Sequence, residues 1–175
     1  YSKQFIDKKD IASVSKTLKS NYITTGPEIE KFENLIKKKV KSNYATVVNS
    51  ATSALHLSCL ALGLAKNDYL WTTSNTFVSS ANCALYCGAK VDLIDINLRT
   101  YNIDIDKLEK KLINAAKLNK LPKIIIPVAF AGQSSEMKRI FLLSKKFKFK
   151  IIEDASHALG AKYESKFVGS CQYSD

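Results

Sequence analysis

Two acids and a histidine stand close together in "KIIEDASHALG", residues 150–160: Glu153, Asp154 and, three positions on, His157. An apolar run stops at the acids. A carboxylate where a buried strand ends can accept a hydrogen bond from a protonated ring nitrogen. An imidazole nearby can reach a substituent of the same ring. Structural roles compete with these: Asp154 as the cap of the next turn, His157 as a packed histidine.

Two other stretches could serve the same ligand. In "NSATSAL", 49–55, small and hydroxyl residues run straight into a helix. A helix start with free amides and hydroxyls is a ready anion site: Ser50, Ala51, Thr52 and Ser53 leave the backbone accessible, and Thr52 and Ser53 add hydroxyl donors. Capping by Ser50 or Thr52 explains the same residues. In "SNTFVSSAN", Phe77 sits at a loop-to-helix transition, where an aromatic can cover a planar ring; a core position is its structural alternative. A phosphate cup, a ring cover and a carboxylate after separate strands suit one phosphorylated heterocycle. Pyridoxal 5'-phosphate is such a group, and an acid beside its pyridinium maintains it as an electron sink.

Composition narrows the partners. The 175 residues carry a net charge of +11, with 27 lysines and arginines of which only Arg99 and Arg139 are arginine. Base-reading proteins lean on arginine, so a nucleic-acid module has charge alone in its favour. No stretch approaches the ~20 apolar residues of a membrane helix, and the N-terminus has no apolar signal core. A cytoplasmic protein is expected. Cys59, Cys83, Cys87 and Cys171 read as small buried thiols, and only His56 and His157 could join them at a metal. No metal site is expected.

Strands and helices alternate. Helices are predicted over 7–20 (Ile11, Val14 and Leu18 at helical spacing, Asp7 capping), 28–40, 51–63, 76–88, 104–118 (Leu108, Leu112 and Ile113 inward) and 134–147 (with a serine cap). Strands are predicted at 44–50, within 69–75 (a short strand and loop), 90–96, 123–129 and 150–154, and a hairpin at 160–170. This order specifies an α/β domain with a largely parallel sheet, whose ligands bind beyond the carboxyl ends of the strands. A nicotinamide-binding Rossmann site is disfavoured, because no glycine fingerprint follows any strand.

The ordered set "NYITTGPEIEKFE", "VVNSATSALHLSCLALGL", "NTFVSSANCALYCGAKVDLIDINLRTYNID", "IIIPVAFAGQ" and "IIEDASHALGAKY" resembles the DegT/DnrJ/EryC1/StrS sugar-nucleotide aminotransferases. Within that family "WTTSNTFVSSANCALYCGA" looks most like the branch making UDP-4-amino-4,6-dideoxy-N-acetyl-β-L-altrosamine for pseudaminic acid and flagellin glycosylation. The resemblance implies the fold type I (aspartate aminotransferase-like) large domain. It implies that Ala51 and Thr52 hold the cofactor phosphate, Phe77 packs on the ring, Asp154 pairs with the ring nitrogen and His157 lies near the phenolic oxygen. It further implies that Tyr1, Asn21, Tyr22, Ile23 and Thr24 contact the UDP-linked keto-deoxysugar. Glutamate is the expected amino donor and a homodimer the expected assembly.

Relatives carry a Schiff-base lysine in a motif like S-F-H-x-x-K, downstream of the matched stretches. The chain opens on Tyr1 and stops at Asp175 before that motif, so residues 1–175 are expected to be a partial large domain without the small C-terminal domain. No residue within the chain is expected to be the catalytic lysine. Two rivals remain open: a 3-dehydratase of the same family with histidine in place of that lysine, and a non-catalytic truncated remnant.

Overall fold

In a computed structural model, which describes residues 3–175, four parallel strands form one sheet with helices on both faces. Helices α1 (Lys8–Leu18), α2 (Pro27–Val40) and α3 (Ala51–Ala61) precede the first strand. Then come β1 (Tyr69–Thr73), α4 (Ser79–Tyr86), β2 (Lys90–Ile94), α5 (Ile105–Lys117), β3 (Ile124–Ile126), α6 (Met137–Phe147) and β4 (Lys150–Ile151). A short antiparallel hairpin, β5 (Lys162–Tyr163) and β6 (Lys166–Phe167), follows.

The sheet order is β2-β1-β3-β4, all parallel. After β1 the chain crosses to one side, and after β3 to the other. The crevice between the carboxyl ends of β1 and β3 is therefore the topological switch point, the ligand-binding place of such sheets.

Side-chain alternation along the strands divides the core in two. Leu70, Ile124 and Ile126 face α3 and α4, packing with Leu55, Cys59, Cys83 and Ala84. Trp71, Ile125 and Ile151 face α5 and α6, packing with Leu108, Leu112, Met137 and Ile140. Strands covered on both faces read as continuous apolar runs, as "III" of β3 does. Across the β1–β3 ladder the buried Thr72 hydroxyl donates to the Ile126 carbonyl at 2.9 Å.

Helix ends follow their local chemistry. Asp7 accepts from the Lys9 and Asp10 amides, and Asp10 returns a bond to the Asp7 amide, a complete capping box. Gly26-Pro27 opens α2, and Asp104 caps α5 through the Lys107 amide at 3.0 Å. At Gly63 and Gly88, which close α3 and α4, φ is positive.

Several expectations need correction. Residues 44–50 form no strand: the segment has no ladder partner, and the Val47 amide bonds the Glu33 carboxylate at 2.9 Å instead. An apolar β-branched run becomes a strand only by pairing, and the outer edge of β4 is taken by Asp175. Helix α6 begins at Met137, and no side-chain cap bond holds it. Ser135, expected near the cap, turns its hydroxyl to the Val128 carbonyl at 3.1 Å. Ile113 is 41% exposed, and Ile105 and Ala115 take the inward places on α5. Cys171 is exposed rather than buried. The apolar stripes of α1 and α2 (Ile11, Val14, Leu18, Ile29, Phe32, Leu35) are exposed among the described residues, and only Val40 of these helices is buried.

Asp175 makes a specific link. Its side chain accepts from Lys150 Nζ at 2.6 Å and from the Ile151 amide at 2.9 Å, while its own amide donates to the Ile151 carbonyl. Partial burial works to raise its carboxyl, but Lys150 and the Ile151 amide outweigh burial and hold it below the ordinary aspartate value. A lowered folded-state value contributes stability above the unfolded pKa of about 3.9, lost as pH falls through the folded value. Asp175→Asn should therefore be less stable than wild type at pH 7. Denaturant titrations should show the gap closing below about pH 4.

Candidate cofactor site

The site grows out of four chain segments that end together. At the end of β1 the Thr73 hydroxyl donates to the Asn75 carbonyl at 2.9 Å, turning the chain into Thr76, Phe77 and α4. At the end of β3, Pro127–Ala129 runs beside the extension of β4. The Asp154 amide donates to the Pro127 carbonyl at 3.0 Å, and the Ala129 amide to the Asp154 carbonyl at 2.9 Å. These bonds fix Asp154 at the carboxyl edge of the sheet. The N-terminus of α3 completes the ring, tied to α4 by a 2.7 Å bond between the Thr52 and Ser79 hydroxyls.

Between them lies a cavity of about 610 Å³, within the range of small-molecule sites. Ala51, Thr52, Phe77, Asp154 and His157 all line it. Five residues chosen from three separated motifs thus meet at the switch point. Phe77 is 73% exposed, so it is no core residue; its ring is free to cover a ligand. Asp154 is 8% exposed, with three donors on its carboxylate. His157 is exposed at the cavity rim.

The neighbouring acid goes elsewhere. Glu153 points to the opposite side of the strand, among Met137, Tyr163 and Val168. Burial raises its carboxyl above the ordinary range, and a 3.4 Å bond from the Gly169 amide only partly opposes this.

At α3, Ser50 caps the Ser53 amide at 3.2 Å and its carbonyl accepts from Ala54. No bond to the Ala51 and Thr52 amides is made by the described residues. Orphan donors at the positive end of a helix suit an anion. Cys59 on α3 and Cys83 on α4 are both buried, and Cys83 together with burial pushes the Cys59 thiol up, so that it stays protonated.

Asn21, Tyr22, Ile23 and Thr24 do not line the cavity; all four are exposed in the turn before α2. Tyr1 lies outside the described residues. Sequence reasoning passed over Ser79, Ser80, Ser156, Phe130 and Asn102. The hydroxyls beside each motif were the available signal, but the bonds they make span from two to 74 positions.

The sequence model described as the DegT/DnrJ/EryC1/StrS aminotransferase family matches residues 4–174. The chain belongs to this family. Like its relatives in the DegT/DnrJ/EryC1/StrS family, it has the α/β fold with a parallel sheet. It is 44% identical to UDP-4-amino-4,6-dideoxy-N-acetyl-beta-L-altrosamine transaminase of Campylobacter jejuni strain 81-176, over 97% of this chain and 44% of that protein. Its structure is similar to Helicobacter pylori PseC, an aminotransferase involved in pseudoaminic acid biosynthesis, with a TM-score of 0.84 and 34% identity over 96% of this chain and 44% of that one. It is similar also to the PLP form of the putative sugar aminotransferase Spr1654 of Streptococcus pneumoniae, with a TM-score of 0.84 and 28% identity, covering 98% and 45%. The chain thus spans about 44% of the length of the curated relatives it matches.

Proposed function

We propose that the whole protein is a pyridoxal phosphate-dependent aminotransferase. It moves an amino group, with glutamate as donor, to the 4-keto carbon of a UDP-linked 4-keto-6-deoxy sugar in pseudaminic acid or related surface-glycan synthesis. The observation that carries this reading is the convergence of Ala51, Thr52, Phe77, Asp154 and His157 on one cavity in a chain of this family.

The donor set fits the cofactor end to end. The Ala51 and Thr52 amides and the paired Thr52 and Ser79 hydroxyls supply surplus protons to a phosphate. Phe77 supplies an exposed face for a ring, and Asp154 an ionisable acceptor for a ring nitrogen. Bound there, the cofactor would act as the electron sink for amino transfer. Asp154 keeps a proton on the ring nitrogen, Phe77 limits the ring's tilt and shields it from water, and His157 orients the ring's polar edge. The proton-transferring lysine is placed downstream of Asp175. Asn21, Tyr22, Ile23 and Thr24, together with Tyr1, are assigned to the nucleotide sugar. The protein is read as a cytoplasmic homodimer, and no helix among the described residues is long and apolar enough to cross a membrane.

The test is to incubate the full-length protein with pyridoxal phosphate, glutamate and the UDP-linked keto sugar. An amino sugar and 2-oxoglutarate should appear in equal amounts. A deoxygenated sugar carrying no amino group would place the protein with the 3-dehydratases. No sugar product at all, with the cofactor bound, would sink the assignment.

A further inference from the structure

The first turn of α4 carries two adjacent serines that bond two separate residues of the cavity lining, Thr52 and Asp154. Ser79 bonds Thr52, at the helix start read as the phosphate end. Ser80, fully buried, donates to Asp154 Oδ2 at 2.8 Å. Ser80 Oγ also lies 2.8 Å from Thr76 Oγ1. A serine hydroxyl has one proton, and Ser80 gives its proton to the carboxylate. Thr76 is therefore the donor into Ser80, and the bonds run Thr76 to Ser80 to Asp154.

The other carboxylate oxygen is occupied differently. Oδ1 accepts from the Ser156 hydroxyl at 2.6 Å and from the Ser156 amide at 3.2 Å. A carboxylate has about four acceptor sites, two on each oxygen. Ser156 fills both on Oδ1. Ser80 fills one on Oδ2. A single acceptor site remains, and Asp154 lines the cavity.

We propose that Ser80 is a positioning residue that fixes the Asp154 carboxylate, so that a ring nitrogen in the cavity is met by one defined site on Oδ2. The proposal rests on the reading of the cavity as a pyridoxal phosphate site. Three donors hold the carboxylate against rotation. Removing Ser80 frees Oδ2 and lets the group turn about its remaining anchor, Ser156. Ser80 and Ser79 also sit side by side on one helix, so α4 sets the span between the ring-nitrogen end and the phosphate end of the site.

The experiment uses the full-length protein, stripped of cofactor and titrated with pyridoxal phosphate. Affinity is read by equilibrium dialysis and ring orientation by visible circular dichroism per bound cofactor. Ser80→Ala should raise Kd by about tenfold or more, the scale of a hydrogen bond to a charged group, and weaken the dichroism. Ser80→Cys, close in volume and a weaker donor, should fall between wild type and Ala, and it carries the test should the Ala variant not fold. Asp154→Asn is the control for the site itself. If Asp154→Asn weakens binding while both Ser80 variants match wild type in Kd and dichroism, Ser80 has no positioning role. If Asp154→Asn also binds as wild type does, the reading of the cavity fails and the proposal with it. A loss of melting temperature alone, with unchanged dichroism, would make Ser80 a packing residue and overturn the proposal.

Discussion

Asp154→Asn should leave the full-length protein folded and lower its turnover by at least about a hundredfold. The amide keeps the size of the carboxylate, and its oxygen can still accept from Ser156. Its nitrogen, however, would oppose two donors, the Ser80 hydroxyl and the ring nitrogen placed in the cavity. The negative charge that would keep that nitrogen protonated is gone. Far-ultraviolet dichroism and steady-state rates, measured together, separate chemistry from folding. Turnover within a few-fold of wild type would remove Asp154 from the ring-nitrogen role.

Asn102→Ala should cost stability on the order of 2 kcal/mol, since three partly buried backbone groups lose one shared partner. Asn102 is 3% exposed and stands at the start of the α5 approach. Its Nδ2 donates to the Gln133 carbonyl at 2.9 Å and to the Ser134 carbonyl at 3.2 Å. Its Oδ1 accepts from the Phe130 amide at 3.0 Å. Those bonds clamp the tight turn after β3, where Ala131 and Gly132 both take positive φ. A Cβ at Gly132 would lie 3.1 Å from the His157 carbonyl, so the turn packs closely against the segment that carries His157. Phe130, held by the same clamp, lines the cavity between β1 and β3. The substitution should therefore lower the denaturant midpoint with the slope unchanged, and weaken cofactor binding as a secondary effect. Asn102→Asp keeps the acceptor for Phe130 but sets a buried carboxylate oxygen against the Gln133 and Ser134 carbonyls, so its loss should be at least as large as that of the Ala variant. Equal stability of wild type and Ala would show that water replaces the amide at no cost.

The elements that were legible are those whose causes are local. Asp7 announces α1, because a short acid just before an apolar helical stripe can accept from the amides of the first turn. Gly63 and Gly88 mark helix ends because a left-handed backbone favours glycine. The run "III" of β3 reads as a strand covered on both faces. The errors fall where a partner decides. Residues 44–50 have strand composition, but composition supplies no ladder. Ile113 has the spacing of an inward residue, yet it sits at the margin of the stripe, where packing alone chooses. The stripes of α1 and α2 were correctly seen as apolar, but periodicity states that a face is greasy and not what covers it.

The sequence by itself determined the class of the fold, the family and the candidate residues Ala51, Thr52, Phe77, Asp154 and His157, because residue type and order survive without coordinates. Only the tertiary structure decided that these residues share one cavity between β1 and β3, since strand order is set by long-range pairing. It alone separated Asp154 from Glu153, sending one carboxylate to the cavity and leaving the other half-buried on the opposite face. It alone revealed Ser80, 74 positions from the carboxylate it holds. A hydrogen bond is a relation between two places in space, and a chain read in one dimension records only the two residues.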